Sequence, residues 1–590
     1  MWPSLLITYM TLYNVMKGLF KNEDEALKKW VVSAKRADFD AIGRELNISP
    51  MLARIVRNRD VIETESVRKF LFGELSDLND PYLLKDIRSG VSLVLDSARS
   101  GGKIRIIGDY DADGVCATYI LYKTLSRLSK NVSYQLPDRI KDGYGLNSTM
   151  IDKAYEDGIS LIITCDNGIA AVEEIAYAKK LGISVVVTDH HECPMILPEA
   201  DAIIDPKQPE CNYPYKEICG AVVAYKFCQI LCSEAGLDFR EDLIEFAAFA
   251  TICDVMPLLD ENRIIVKYGL KSMQHTKNIG LRALIDSTGI DKSKLSAYHI
   301  GFILGPCINA TGRLDLANRA LELLITDSVR EAATIASSLK ELNESRKDMT
   351  RLYTKQALNV VLNGDGYNPS MSDLSVLVIY LPDCHESIAG IVAGHVREQY
   401  YKPTIILTKA EVGVKGSGRS IEAYNMFEAL CDVEDIFTKF GGHKMAAGMS
   451  LPTERIDELR DRLNALSKLT SDDLIEKITI DIPMPLQYVT EDFIEELEML
   501  SPYGVGNPKP LFAQKNLIVK NIRIQGRQSN VVKLLFEGEK VSGILFTDGD
   551  DFIKEYSEGM KVSVIYTPEI NEYMGTRSIQ AAIKEIRPDT

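Results

Sequence analysis

The chain has little tryptophan, two residues in 590, and its 11 cysteines include no CxxC pair. An odd count without such pairs, with several cysteines inside apolar runs, excludes a disulfide framework and a zinc ribbon. Cys228 and Cys232 share a helix face, yet no second Cys/His pair completes a site. Positive charge is also short. Lys and Arg number 68 against 84 Asp and Glu, for a formal net charge of −16. That balance excludes a broadly basic nucleic-acid coat, though not a narrow basic groove. Hydrophobic residues at 46% and charged residues at 26% are ordinary for a globular protein with sizeable cores.

The opening "MWPSLLITYMTLYNVMKGLF" lacks a basic start and an A-x-A-like cleavage site, so it does not read as a signal peptide. It is too interrupted for a membrane span. It is expected to be either a docking helix or an over-long start, with an ordinary domain from about Glu23 onward.

Length predicts about three or four domains. Residues 23–100 read as short helices, with a break at Asn47–Pro50. From Ile104 the pattern alternates. "IRIIGD", "SLIITCDNG" and "SVVVTDHHE" are β-like runs, separated by helical stretches. Alternation of this kind predicts βαβ units and a parallel sheet. Residues 328–361 read as one long helix, with Ile335, Leu339, Leu342 and Met349 at roughly heptad spacing, ending at "NGDG". A second α/β lobe follows, and after about Ser471 short alternating runs predict a small antiparallel β-domain of OB type.

The polar clusters fall at the ends of core elements. They are Asp109, Asp111 and Asp113; Asp166 with Asn167 and Gly168; Asp189, His190 and His191; and Asp254, at the end of "LIEFAAFATICD". Carboxylates this close repel one another and need a cation. Carboxylates with imidazole suit Mn²⁺ or Mg²⁺, and the set suffices for two ions, the usual device for phosphodiester hydrolysis. A lone DxD is ordinarily a turn, and a lone DHH a helix cap. "DADG" also resembles the start of an EF-hand, but no Glu stands at the twelfth loop position. Four such clusters in one domain are not explained as caps.

"GDYDADG", "TCDNGI", "TDHHE" and "ATICDVMPL" resemble the successive motifs of the DHH phosphoesterase superfamily. "GPCINATGRLD", "CHESIAGIVAGHV", "KGSGRS", "FGGHKMAAGM", "SPYGVGNPKPLF" and "NEYMGTRSIQ" resemble those of its RecJ branch, from about residue 25 to the end. The resemblance implies an α/β protein with a DHH catalytic lobe, a long connecting helix, a DHH-associated α/β lobe facing the catalytic lobe across a groove, and a C-terminal OB-type barrel. The expected domains are an N-terminal helical region over 1–85, the DHH domain over 86–327, the helix over 328–361, the DHH-associated domain over 362–470 and the OB-type domain over 471–590. The implied activity is single-stranded-DNA-specific 5′→3′ exonuclease action releasing mononucleotides, in DNA repair and recombination.

By the same resemblance, Asp111, Asp113, Asp166, His190 and Asp254 are metal ligands for two Mn²⁺ or Mg²⁺ ions, with Asp166 bridging. Asp109 is a first-ion ligand or near neighbour. His191 contacts the scissile phosphate or positions the attacking water; a bond that orients His190 is its alternative. Ser417 and Arg419 in "KGSGRS" are expected to grip the 5′ end, and the glycine-rich stretch reads as a loop whose amides could cradle phosphate. Arg139 and Arg313 are further phosphate contacts, and Asn309, His385 and His443 are groove or hinge residues. Cys307, Cys384 and Ser387 depart from the common family residues Arg, Trp and Gly. The β-domain, with Tyr573, Arg577 and Lys584, suits a single strand or a protein partner. The implied partners are single-stranded DNA, single-strand-binding protein and a DNA helicase. The expected protein is a cytoplasmic monomer without membrane contact. The alternatives are a DHH phosphodiesterase acting on short oligonucleotides or cyclic dinucleotides, and a non-catalytic RecJ-derived replication scaffold.

Overall fold

The computed structural model describes residues 28–137, 145–314, 318–526, 528–573 and 575–589; the side chains of 313, 314 and 573 are not described. The N-terminal stretch 1–22 and Arg139 therefore lie outside the described residues, as do the side chains of Arg313 and Tyr573. The chain divides into two compact units. One holds Arg59–Ser345 together with Leu500–Pro508; the other holds the residues up to Asn58, Arg346–Met499 and Lys509 onward.

The first unit is built on five parallel strands: β1 (Ile104–Ile107), β2 (Val132–Gln135), β3 (Leu161–Cys165), β4 (Ser184–Thr188) and β5 (Ala202–Ile204). Their order is β2-β1-β3-β4-β5. β1 and β3 are buried at every position, as strands covered by helices on both faces must be. The chain steps from β1 to β2 on one side and returns to β3 on the other. The carboxyl ends of β1 and β3 therefore flank the point where the winding reverses, where open α/β sheets leave a crevice for ligands. Helices α1 (Ala112–Leu125), α2 (Gly220–Ala235) and α3 (Ile244–Cys253) are apolar on nearly all sides and fill the core behind this crevice.

That core holds a buried Lys–Glu ion pair. Lys226 Nζ lies 2.8 Å from Glu261 Oε2, and both side chains are at most 1% exposed. Tyr213 donates its hydroxyl to the other Glu261 oxygen at 2.5 Å. A buried pair adds little net stability, but removing one partner strands the other's charge. Lys226→Met is expected to lower the unfolding free energy by about 3–5 kcal/mol, measured by chemical denaturation.

Two expectations change. Residues 29–32 form a strand, not a helix: Lys29–Val32 pairs in parallel with Lys477–Ile480. The partner is more than four hundred residues away, so no local pattern announces it. Helices do follow at Phe39–Leu46, Pro50–Asn58, Thr64–Phe72 and Ile87–Arg99, and Asn47 takes a left-handed conformation at the expected break.

Helix α4 (Gly305–Leu314) and a short helix, Asn318–Ile325, lead into the expected long helix, α5 (Val329–Asn363), of 35 residues. Ile335 and Leu339 of α5 belong to the core of the first unit, and Leu358 and Val361 to a core of the second. The second unit contains β6 (Leu377–Tyr380), α6 (Glu386–Tyr400), β7 (Thr404–Lys409), β8 (Val414–Arg419), β9 (Lys439–His443) and β10 (Ala446–Leu451), in the sheet order β9-β10-β8-β7-β6. Here the second change appears. "KGSGRS" is not a loop, because Lys415–Arg419 lie within β8, paired with β7 on one side and β10 on the other. Its amides serve the sheet ladder and form no phosphate nest. Glycine disfavours strands, and the neighbouring strands override that preference.

The C-terminal sheet has six strands, and pairing of Phe512–Gln525 with Lys561–Tyr573 closes it. Most pairs are antiparallel, but Ser542–Phe546 runs parallel to Thr576–Pro588. No helix among the described residues is long and apolar enough to cross a membrane.

Candidate metal centre

The site grows from the carboxyl end of β1. There Asp111 caps α1, its carboxylate accepting from Asp113 N at 2.9 Å and Gly114 N at 3.1 Å. This cap turns the chain sharply and lets three aspartates leave one strand end together. Asn309, on α4, accepts from Ala112 N at 2.8 Å and so braces the same turn.

Asp113 is 1% exposed, and its two oxygens accept from Gly220 N and Ala221 N, both at 2.7 Å. These amides open α2, whose positive end favours a carboxylate. Asp166 follows β3 in a left-handed conformation, φ 60°, a strained state for a non-glycine residue that is typical of functional turns. Gly220 sits against it: a Cβ there would lie 2.7 Å from Asp166 Cβ and 2.9 Å from its Cα.

Asp189 directly follows β4 and organises both histidines. Its Oδ1 accepts from His190 N at 2.7 Å and bonds His191 Nδ1 at 2.7 Å, while Oδ2 accepts from Ile169 N. His190 Nε2 then lies 3.1 Å from Asp166 Oδ1, 3.6 Å from Asp113 Oδ2 and 3.8 Å from Asp254 Oδ2.

Donor atoms thus gather in two sets, each within 4.8 Å: Asp109, Asp111 and Asp166, and Asp113, His190 and Asp254. Asp166 belongs to the first and touches the histidine of the second. A further grouping joins Asp166 with Asp189, His190 and His191.

The charges call for cations. Burial, with Asp113, Asp111, Asp109 and Asp254 around it, pushes the Asp166 carboxyl well above its ordinary range. Burial and the charges of Asp113 and Asp111 do the same to Asp254, and burial and Asp113 raise Asp111. Burial lowers His190, which favours the neutral ring that ligates metals. For His191 burial is outweighed by the bond to Asp189, and its pKa is raised to about 9. Carboxylates that cannot all ionise together, joined by one neutral imidazole, fit hard divalent ions.

Of the residues expected at the site, Asp109, Asp111, Asp113, Asp166, His190, His191, Asp254 and Asn309 come together here. Cys307 is buried, its thiol donating to Ile303 O at 3.2 Å and accepting from Asn343 Nδ2 at 3.5 Å, so it is not exposed to a strand.

Ser417, Arg419, His385 and His443 lie in the second unit. Ser417 and Arg419 share one face of β8. Arg419 is in register with Ala446, and Ala446 with His443. His385 caps α6, and the departure Ser387 bonds its Nδ1 at 2.7 Å. Burial and neighbouring Arg397 lower the pKa of Arg419. Gly390 of α6 makes room for the guanidinium, since a Cβ there would come within 2.8 Å of Arg419 Nη2.

Sequence reasoning places Asp189 in a strand-end cluster but does not see that it holds the histidines, and it assigns no role to Gly220, Ala221 or Arg397. "ICGAVVAYK" carries a signal, a glycine opening an apolar helix, but not its target, which is 107 residues away.

An α/β sheet with aspartates after β1 and β3 at its switch point and paired histidines after the neighbouring β4 defines the DHH class. Residues 103–251 match the DHH family N-terminal domain, 373–468 the DHHA1 domain and 480–585 the RecJ OB domain. The single-stranded-DNA-specific exonuclease RecJ of Bacillus subtilis (strain 168) is 36% identical over 566 residues, 94% of this chain and 70% of that protein. That of Escherichia coli (strain K12) is 31% identical, over 92% of this chain and 96% of that protein. The crystal structure of RecJ from Thermus thermophilus in complex with Mn²⁺ matches with a TM-score of 0.82 at 26% identity, over 95% of this chain and 80% of that one. A Mg²⁺ complex of the same protein matches at 0.76. This chain belongs to the RecJ family.

Proposed function

We propose that this protein is a single-stranded-DNA-specific exonuclease that hydrolyses phosphodiesters with two Mn²⁺ or Mg²⁺ ions. The observation that carries the reading is the double donor set around Asp166. Asp109, Asp111 and Asp166 would hold one ion, and Asp113, His190 and Asp254 the other, with Asp166 shared. When bound, such ions supply neutralisation of phosphate charge and activation of water. The chain's own residues set the geometry. Asp189 holds both histidines, the α2 amides hold Asp113, and Asn309 holds the turn that carries Asp111. His191, with Nδ1 engaged by Asp189, is assigned to the scissile phosphate through Nε2. The RecJ OB match and the intact acidic set favour this reading over a short-oligonucleotide phosphodiesterase or a non-catalytic scaffold.

Degradation is assigned the 5′→3′ direction with mononucleotide release, in repair and recombination. The protein is assigned as a cytoplasmic monomer working with single-strand-binding protein and a helicase. Digestion of end-labelled single-stranded and blunt duplex DNA tests the core of this. The expected result is mononucleotide release from the 5′ end of single strands with Mn²⁺, none with chelator, and resistance of the duplex. Equal cleavage of the duplex, or activity that survives chelation, counts against it.

End recognition is assigned to Arg419, with Ser417 beside it. A half-buried guanidinium next to a second Arg suits a phosphate, and a terminal phosphate carries more charge than an internal one. A 5′-phosphorylated strand is therefore expected to be cut faster than its 5′-hydroxyl twin. Arg419→Ala should reduce that preference roughly tenfold, the worth of one charged hydrogen bond, and leave Mn²⁺ affinity unchanged. Initial rates on matched oligonucleotides measure it; a preference retained in full would reassign Arg419 to general strand binding.

A further inference from the structure

Asp254 stands at an unusual helix end. It closes α3, and the next two amides fold back: Val255 N donates to Ile252 O at 3.3 Å and Met256 N to Thr251 O at 3.1 Å. This is the Schellman arrangement, whose left-handed position is ordinarily glycine. Here Val255 occupies it, at φ 60°. A β-branched side chain in that region is strained and persists only where its surroundings hold it.

Val255 itself is exposed, and the chain just beyond it is met by a distant segment. Leu500–Pro508 returns to the first unit although the residues on both sides of it belong to the second. Val505 O accepts from Leu258 N at 2.7 Å, four residues beyond Asp254. The loop is clamped in turn by Arg263, 2% exposed, whose guanidinium donates to Leu500 O at 2.8 Å, Ser501 O at 2.9 Å and Pro502 O at 3.2 Å. A further bond, to Phe70 O at 2.5 Å, roots it in the unit's own helices. Asn507 closes the loop on itself, donating to Leu500 O at 2.7 Å and Pro502 O at 2.9 Å.

We propose that the Leu500–Pro508 loop, locked by Arg263 and Asn507, is a positioning element for the metal centre: it pins the strained turn after Asp254 and so sets the affinity of the ion held by Asp113, His190 and Asp254. The proposal rests on the two-ion reading above. It assigns Arg263 and Asn507 as positioning residues that act through the backbone of Leu258. The Asp109, Asp111 and Asp166 set is anchored on β1 and β3 and draws nothing from the loop.

The selectivity makes it testable. Arg263→Lys keeps the charge and loses the fork, since an ammonium cannot reach three carbonyls in fixed directions. Asn507→Ala loosens the loop with Arg263 in place, and serves if the first variant folds poorly. Mn²⁺ is titrated calorimetrically into the full-length, metal-free protein, and amide exchange is followed over Asp254–Leu259. One binding step should weaken tenfold or more while the other stays within twofold, and exchange in the turn should quicken. The inference is overturned if both steps weaken equally, or if exchange rises and neither step changes. Asp254→Ala is the control and should remove one step. If it leaves both intact, the two-ion reading is wrong and this inference falls with it. If it removes one step and the loop variants do not weaken that step, only the inference falls.

Discussion

Asp166→Asn is expected to reduce exonuclease turnover at saturating Mn²⁺ by roughly a thousandfold or more, since metal stabilisation of transition-state charge is worth several kcal/mol and each 1.36 kcal/mol is tenfold in rate. The change keeps the shape of the side chain and removes one negative charge from between the two donor sets. Asn is a poorer ligand for a hard cation and cannot balance two. A second effect of opposite sign separates this acid from a structural one. Asp166 is 3% exposed and surrounded by Asp113, Asp111, Asp109 and Asp254. Without ions that cluster opposes folding, so the variant should melt higher than the parent in chelator, by an amount equivalent to about 1–3 kcal/mol. Thermal denaturation in chelator, beside single-turnover kinetics with Mn²⁺, checks both. A variant that keeps a tenth of the parent turnover, or melts lower in chelator, would show that Asp166 is not shared between ions.

Gly220→Ala is expected to cost about 10²-fold in turnover, the scale of a 1 Å misplacement of catalytic groups. The added methyl meets Asp166 at Cβ and at Cα, and its Oδ1 at 2.9 Å. Neither the backbone nor the stem of Asp166 is a flexible end that can swing away, so Asp166 or the start of α2 must move. The α2 amides of Gly220 and Ala221 also hold Asp113. One methyl group therefore disturbs both donor sets, and both Mn²⁺ steps should weaken together. That pattern contrasts with the one-step loss expected for Arg263→Lys. Calorimetric titration alongside initial rates distinguishes them, and turnover within threefold of the parent would show that the contact relaxes at no cost.

The strands that carry the metal set were legible because parallel strands leave a local mark. "IRII" and "LIITC" are short apolar runs with the aspartates directly after them, and the strand end is where such sheets place ligands. "KGSGRS" was misread because glycine weakens the strand signal, and pairing with β7 and β10 is invisible within six residues. Lys29–Val32 has the same difficulty, its partner being Lys477–Ile480.

By itself the sequence determined which groups can bind cations, that they stand at the ends of strands and of one apolar helix, and that the chain is α/β with a β-rich C-terminus. Those properties depend on residue type and short-range period, which a chain carries wherever it folds. Only the tertiary structure decided how the carboxylates divide into two sets, that the amides of α2 hold Asp113, that Asp189 orients both histidines, and that Arg263 clamps a returning loop behind Asp254. These are meetings between residues tens to hundreds of positions apart. Their energies come from burial and hydrogen-bond direction, which exist only once the sheet and its helices have closed around them.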